Sequence, residues 1–359
     1  MYLQIKDLNI IFDDFTIKNF SLSLAKETFF VLLGPSGSGK TTLINAIAGF
    51  CSINSGVILL NHKNLEKLPP HQRNIGVVFQ DFALFPHLNV FDNIAFSLKI
   101  KKKSAFEIQT KVEQLLNIIG LNNYQKRHIN ELSGGEKQRI ALARTLAAEP
   151  ELILFDEPLS SIDEAFRFKL REMIKTIHQE LKFTAIYVTH DHEEAFYLAD
   201  DIGIMINGNL LSWGEKNELY NNPREIAVAK FLGYKNIFQG KIVCQNQEFF
   251  FVSNHLRLKI NEKGYSSSIM YQQGNVQIII NPNLCFFSET ALIENSFPIT
   301  NCHYQCLGNY LYYQIYLNEV VLKEKITMNY HWENSLRNFT NLWLVIPVQA
   351  IKLYQYEDQ

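Results

Sequence analysis

A chain of 359 residues with 47% apolar content has enough hydrophobic material for two cores, and a formal net charge of −2 leaves no bulk basicity to hold nucleic acid. Apolar runs such as Phe29–Leu33, Leu152–Phe155 and Ile202–Ile206 are far too short to span a bilayer. The opening Met1-Tyr-Leu-Gln-Ile-Lys-Asp-Leu8 puts no basic segment ahead of an apolar core. No signal peptide is therefore expected, and the chain is expected in the cytoplasm or on a membrane's inner face. Five scattered cysteines (Cys51, Cys244, Cys285, Cys302, Cys306) read as thiols rather than as a disulfide framework. Cys302-His-Tyr-Gln-Cys306 has no second ligand pair beside it and reads as packed or exposed thiols rather than a metal site.

In chain order, the first strong signal is Gly34-Pro35-Ser36-Gly37-Ser38-Gly39-Lys40-Thr41-Thr42, which matches the P-loop pattern G-x-x-x-x-G-K-[ST]. It sits in the context the pattern requires. Phe29–Leu33 before it is a short apolar run that predicts a buried strand, and Leu43–Ala48 after it predicts a helix closed by Gly49. Glycines let backbone N–H groups close round phosphates, and the following helix aims its positive end at them. Lys40 is placed to reach the β- and γ-phosphates, and the Thr41 hydroxyl to ligate Mg²⁺. Further on, Ser133 with Gly134 and Gly135 opens a predicted helix over 136–148, a second anion-binding helix start whose bland alternative is an ordinary glycine-rich cap. Leu152-Ile-Leu-Phe-Asp156-Glu157 then predicts a strand ending in two carboxylates. Asp156 is expected to hold the Mg²⁺ shell opposite Thr41, and Glu157 to polarise a water for attack on the γ-phosphate.

Leu132-Ser-Gly-Gly-Glu-Lys-Gln-Arg139, behind a P-loop, resembles the signature motif of ABC ATPases, and other motifs follow in that family's order over residues 1 to about 235. The resemblance implies a P-loop α/β domain with a helical subdomain at about 82–150, binding ATP and Mg²⁺. It further implies a homodimer in which Ser133, Gly134 and Gly135 of one copy close on the ATP held by the other, with Asp163 reaching across the interface. Gln80 matches the loop glutamine that senses Mg²⁺ and the attacking water, and His190 matches the switch histidine that contacts the γ-phosphate and orients Glu157. Phe12 falls at the position that stacks on adenine, with Phe15 close enough to leave the register open; a sheet-core aromatic is the alternative for Phe12. Two departures lie away from the phosphates: Ala25-Lys-Glu27-Thr28 lacks the family's glycine, and Asp200-Asp201-Ile202 replaces its Asp-Arg-Ile.

Pro69-Pro-His-Gln-Arg73 and Phe82-Ala-Leu-Phe85-Pro-His-Leu-Asn-Val90 resemble the importer ATPases with a regulatory tail, which serve ferric iron, polyamines, oxyanions or sugars. That resemblance implies a groove for a membrane permease, which Phe82, Leu84, Phe85 and Phe91 suit as lining unless they simply pack the subdomain. It also implies an indirect partnership with a substrate-binding protein. Lys101-Lys-Lys103 reads as a solvated face. After a join at Phe231–Phe238 the pattern changes to short β-like runs: Phe249–Val252, Arg257–Ile260, Val276–Ile280, Tyr310–Leu317, Val320–Lys323, Leu342–Ile346 and Ile351–Tyr356. These predict a small all-β, OB-like domain over 236–359, although Asn281-Pro-Asn283 stands where the family often has Arg-Pro-Glu. A sensing role and a purely dimerising role for this tail stand equal. The expected function is the energy-coupling ATPase (a translocase) of an importer, with ferric iron or an oxyanion favoured as cargo and polyamine next. The alternatives are a cytoplasmic ABC-type ATPase whose β tail is a regulatory binding module and, disfavoured by a single cassette without heptads, one acting on DNA or ribosomes.

Overall fold

The structure, a computed structural model, describes residues 1–12, 15–261, 275–292, 294–307, 310–317, 320–327 and 342–355. The chain divides into two compact units, Met1–Arg224 and Glu225–Gln359. The division falls ahead of the boundary near 235 expected from sequence. A helix over Ile226–Phe231 accounts for this: its Ala229 is buried with Ile279 and Tyr354 of the tail.

In the first unit β1 (Leu3–Phe12), β2 (Phe15–Leu24), β4 (Ser55–Leu60) and β5 (Lys63–Asn64) form an antiparallel sheet in the order β2-β1-β4-β5. A second sheet takes the order β10-β9-β3-β8-β7-β6, from β3 (Phe29–Leu33), β6 (Ile75–Val78), β7 (Leu152–Asp156), β8 (Ala185–Thr189), β9 (Asp201–Ile206) and β10 (Asn209–Glu215). It is parallel from β9 to β6, with β10 antiparallel at one edge. Strands β3 and β8 are buried at every residue, as expected for a parallel sheet covered on both faces. One face packs Phe30 and Leu32 with Leu43, Ile44 and Ile47 of α1 (Lys40–Ala48) and with Leu3 and Ile5 of β1. On the same sheet Phe29, Phe155 and Tyr187 meet at ring-centroid distances of 5.6 to 6.0 Å. Fully burying each such ring contributes about 2–3 kcal/mol.

Between β6 and β7 lie α2 (Val90–Ile100), α3 (Ala105–Ile118) and α4 (Gly134–Ala147), with α4 packed on the other two. Each begins at a residue whose side chain accepts a backbone N–H of the first turn: Asn89, Ser104 and Ser133, the last two in reciprocal capping boxes with Glu107 and Glu136. Helices α5 (Glu164–Leu181) and α6 (His192–Leu198) follow β7 and β8, so the loops between strand and helix gather at the carboxyl ends of the parallel strands. Among the described residues no helix is long and apolar enough to cross a membrane.

Among its described residues the tail is all-β apart from its first helix and short turns. A five-stranded antiparallel sheet joins Arg257–Ile260, Glu248–Val252, Ile237–Gln245, Asn275–Ile280 and Ile351–Gln355 in that order, and two three-stranded sheets accompany it. All three sheets contribute to one apolar core, for example Phe251, Ile278, Ile315, Leu322 and Leu344, in keeping with an OB-like domain. The expected strands are present here; Tyr356, at the end of the last run, lies outside the described residues.

Candidate functional site

The loop after β3 is shaped by its glycines. A Cβ at Gly34 would collide with the Met205 carbonyl oxygen, and one at Gly39, which has φ +98°, with the Phe15 ring. The Ser38 N–H closes a turn onto the Pro35 carbonyl oxygen at 3.2 Å. Lys40 is only 4% exposed, and its Nζ donates to the Gly34 and Pro35 carbonyl oxygens, each at 2.9 Å. Burial pulls the Lys40 pKa down, while the carboxylates of Glu157 and Asp156 oppose that shift. The ammonium is thus held by neutral acceptors beside the open loop, ready for a strongly anionic ligand.

Across the sheet, Thr41 and Asp156 are 115 residues apart in sequence yet hydrogen-bonded, the Thr41 hydroxyl donating to Asp156 Oδ1 at 2.9 Å. Burial raises the Asp156 pKa, the Thr41 hydrogen bond lowers it, Glu157 raises it and Lys40 lowers it. These two oxygens beside a phosphate-shaped loop are the hard donors Mg²⁺ prefers, so the residues fit the ion. Glu157 adopts a left-handed backbone at φ +42°, a costly conformation for a residue with a Cβ. Three contacts maintain it: its N–H reaches the Val188 carbonyl oxygen, while its own carbonyl oxygen accepts from the Ser160 hydroxyl at 2.8 Å and the Ser160 N–H. The result carries its carboxylate to His190, with Oε2 at 3.1 Å from Nδ1.

Phe12, Phe15, Ser36, Gly37, Gly39, Lys40, Thr41, Thr42 and Glu157 line one cleft of about 420 Å³. Within it Phe15 is partly buried against the core and covers Gly39, whereas Phe12 is 49% exposed. Ser133, Gly134, Gly135 and Asp163 line a different cavity, of about 540 Å³, together with Tyr124 and Phe166. There the N-terminus of α4 is tightened by Glu136, which accepts from the Ser133 N–H and from the Tyr124 hydroxyl, each at 2.8 Å. Gln80 lines neither; its carbonyl oxygen accepts from the Ser161 hydroxyl at 3.4 Å. The two halves of the expected site are thus built on different surfaces of one chain.

Several supporting residues had no role assigned from sequence. Arg73 donates to the Ala46 and Ile47 carbonyl oxygens and so caps the C-terminus of α1, the helix that carries the P-loop lysine. Glu194 is 3% exposed and accepts from the Tyr187 and Thr189 hydroxyls, each at 2.9 Å, which ties the end of β8 to α6 on either side of His190. Burial raises the Glu194 pKa, with these two hydrogen bonds opposing. Asp200 Oδ2 accepts from the Phe29 N–H at 2.8 Å, fixing the start of β3. None of these has a motif of its own: Arg73 and Asp200 bond to backbone groups far away in sequence, and Glu194 to hydroxyls five and seven residues before it. Phe91 lines a cavity with Asn89, Gln109, Asn123 and Gln125, whereas Phe85 packs on Phe96 at 4.5 Å.

The profile of the ABC transporter family matches residues 17–160. The spermidine/putrescine import ATP-binding protein PotA of Thermotoga maritima is 43% identical over 253 residues, covering 70% of this chain and 69% of that protein. The chain belongs to the ABC transporter ATP-binding family, among its importers. The PotA protein of Borreliella afzelii is 47% identical over 241 residues, 66% of this chain and 70% of its own. That of Clostridioides difficile is 38% identical over 281 residues, 78% and 79% of the two chains. Among solved structures, CbiO1 from Clostridium perfringens, part of the ABC transporter complex cbiONQ, matches with a TM-score of 0.57 at 27% identity. The match covers 62% of this chain and 91% of that one. This ABC importer ATPase therefore binds ATP and couples its hydrolysis to transport.

Proposed function

We propose that two copies of this ATPase close head to tail around two ATP molecules and drive a membrane permease that imports a polyamine. The observation that supports the composite site is the separation just described: the P-loop cleft holds Lys40, Thr41 and Glu157, while Ser133–Gly135 and Asp163 face another cavity. In the closed pair, the positive N-terminus of α4 meets the γ-phosphate bound by the other copy. Phe12, being exposed where Phe15 is packed, stacks on the adenine. Residues Gly34–Thr42 hold the phosphates through backbone N–H groups, and Lys40 turns from the Gly34 and Pro35 carbonyl oxygens to the β- and γ-phosphates. Mg²⁺, held by Thr41, Asp156 and Gln80, would neutralise charge on the phosphate oxygens. Glu157 accepts a proton from the attacking water at its carboxylate, and His190 donates through Nδ1 to Oε2, keeping that carboxylate in line.

The polyamine reading rests on relatives named for spermidine and putrescine import in several bacteria. It replaces the lean toward ferric iron or an oxyanion drawn from the loop and join motifs, which the relatives do not support. A permease and, outside the membrane, a substrate-binding protein complete the machine. The ATPase sits on the cytoplasmic side as a peripheral subunit. Removing the gene should abolish uptake of labelled spermidine while leaving ferric iron and molybdate uptake unchanged, with recovery from the parent chain but not from Glu157→Gln. Unchanged spermidine uptake would overturn the cargo. Membrane pull-down with ATP-loaded Glu157→Gln should recover a multi-span permease, and capture of soluble partners alone would overturn the transporter role.

A further inference from the structure

The segment after Gln80 contains two consecutive left-handed residues that are not glycine, Phe82 at φ +64° and Ala83 at φ +46°. Such a pair persists only where surrounding contacts over-determine it. Those contacts come from Arg144, three turns into α4 from the signature residues. Its guanidinium donates to the Ala83 carbonyl oxygen at 2.6 Å and to the Phe82 carbonyl oxygen at 3.2 Å, and lies 5.2 Å from the centre of the Phe85 ring. Phe85 in turn packs on Phe96 of α2, and Asn93 of α2 holds both the N–H and the carbonyl oxygen of Phe85. Just upstream the attachments change. Phe79 stacks on Phe50 beside α1 at 6.1 Å, and the Gln80 carbonyl oxygen accepts from Ser161. The side-chain attachments up to Gln80 thus run to the P-loop layer and those from Phe82 onward to α2 and α4. One backbone bond, from the Phe82 N–H to the Phe79 carbonyl oxygen at 3.1 Å, spans the step between them, and α4 itself also packs on β6.

We infer that Arg144 is a positioning residue that latches Phe82–Phe85 to the signature helix, so that this segment travels with α4 about a joint at Gln80–Asp81. The inference deepens the importer reading and rests on it for its transport consequence. When α4 moves to meet the nucleotide of the other copy, the latch carries the same displacement to the exposed and half-exposed side chains of residues 82–85. Without the latch, α4 can still close on ATP, but the strained pair relaxes and the displacement is not passed on. A planar guanidinium suits this task because it serves two adjacent carbonyl oxygens at once while stacking on Phe85, which an ammonium cannot do.

Two variants of the full chain, Arg144→Lys and Arg144→Met, test this with two readouts. In the isolated protein, hydrogen exchange at the amides of 82–88 should rise tenfold or more in Arg144→Met and less in Arg144→Lys. Exchange in β3 and α1, the Kd for ATP and the basal ATPase rate should stay within twofold of the parent. In membranes carrying the complete transporter, spermidine uptake per ATP hydrolysed should fall at least tenfold in Arg144→Met. Unchanged exchange at 82–88, a loss of protection spread over the whole unit, or uptake per ATP within twofold of the parent would each overturn the latch. If Arg144→Met does not fold, Arg144→Lys decides by the same criteria with a threefold threshold. If the parent chain takes up no spermidine, the cargo reading fails by itself, and the exchange measurement still decides the latch.

Discussion

In Met1–Arg224 the strands that position the candidate site are buried on both faces, and its side chains, such as Lys40, Thr41, Glu157 and His190, gather in and beside the loops at their carboxyl ends. In Glu225–Gln359 strands such as Glu248–Val252 and Arg257–Ile260 bury alternate residues. The difference teaches where motifs come from. A loop that must turn N–H groups toward phosphate needs glycine at Gly34 and Gly39, and a helix that must begin there needs a cap such as Ser133, so function constrains residue types at short spacing. An antiparallel core needs only apolar residues at every second position, which many sequences satisfy.

The sharpest way to break this contrast is at Glu157. Glu157→Gln should reduce ATP turnover by about 10²–10⁴-fold while ATP remains bound, as read by single-turnover phosphate release and nucleotide binding; near-normal turnover would remove Glu157 from its proposed role. Next comes the core of the tail. Phe251 is fully buried there, and Phe251→Ala should cost about 3–5 kcal/mol. Calorimetry should then show an earlier transition for the tail, with ATP affinity of the first unit kept within twofold; equal loss of both would mean the two units do not fold as separate cores.

Smaller effects separate the two aromatic candidates. Phe12→Ala should raise the KM for ATP several-fold, on the order of 1 kcal/mol of lost stacking, with little change in melting temperature. Phe15→Ala should do the reverse, lowering stability because its ring covers Gly39 and packs on the core. A swapped pattern would move the adenine to Phe15. The smallest effect expected is a gain. Glu27 occupies φ +66° at the turn where the family places glycine, held by the Thr184 hydroxyl on its N–H and by the His178 ring near its carbonyl oxygen. Glu27→Gly should therefore stabilise the first unit by about 1 kcal/mol, seen as a rise of about 2–4 °C in its melting temperature. A fall would show that the Glu27 side chain contributes more than its backbone strain costs.

Much of the first unit was legible in the sequence because the signals are local. The apolar run Phe29–Leu33, the glycines after it and the cap at Ser133 each act within a few residues, and the structure places strand, loop and helix where those signals lie. Strands of the tail such as Glu248–Val252 and Arg257–Ile260 follow from alternation, whereas Ile237–Gln245, in the middle of its five-stranded sheet, was not among the runs read from the sequence. The edge between the units was not legible either, since the helix at Ile226–Phe231 is assigned by its burial against Ile279 and Tyr354.

What the sequence by itself determined is the family, the order of the motifs and the chemical character of each, because phosphate recognition needs particular residue types at fixed short spacing. What only the tertiary structure decided is which of those groups meet. Thr41 finds Asp156 and His190 finds Glu157 through the parallel pairing of β3, β8 and β7. Arg73 and Arg144 find carbonyl oxygens 26 to 62 residues away through helix packing rather than strand pairing. Contacts of that kind depend on sheet order and helix packing, whose free energy is spread over the whole core, and no short stretch of residues encodes them.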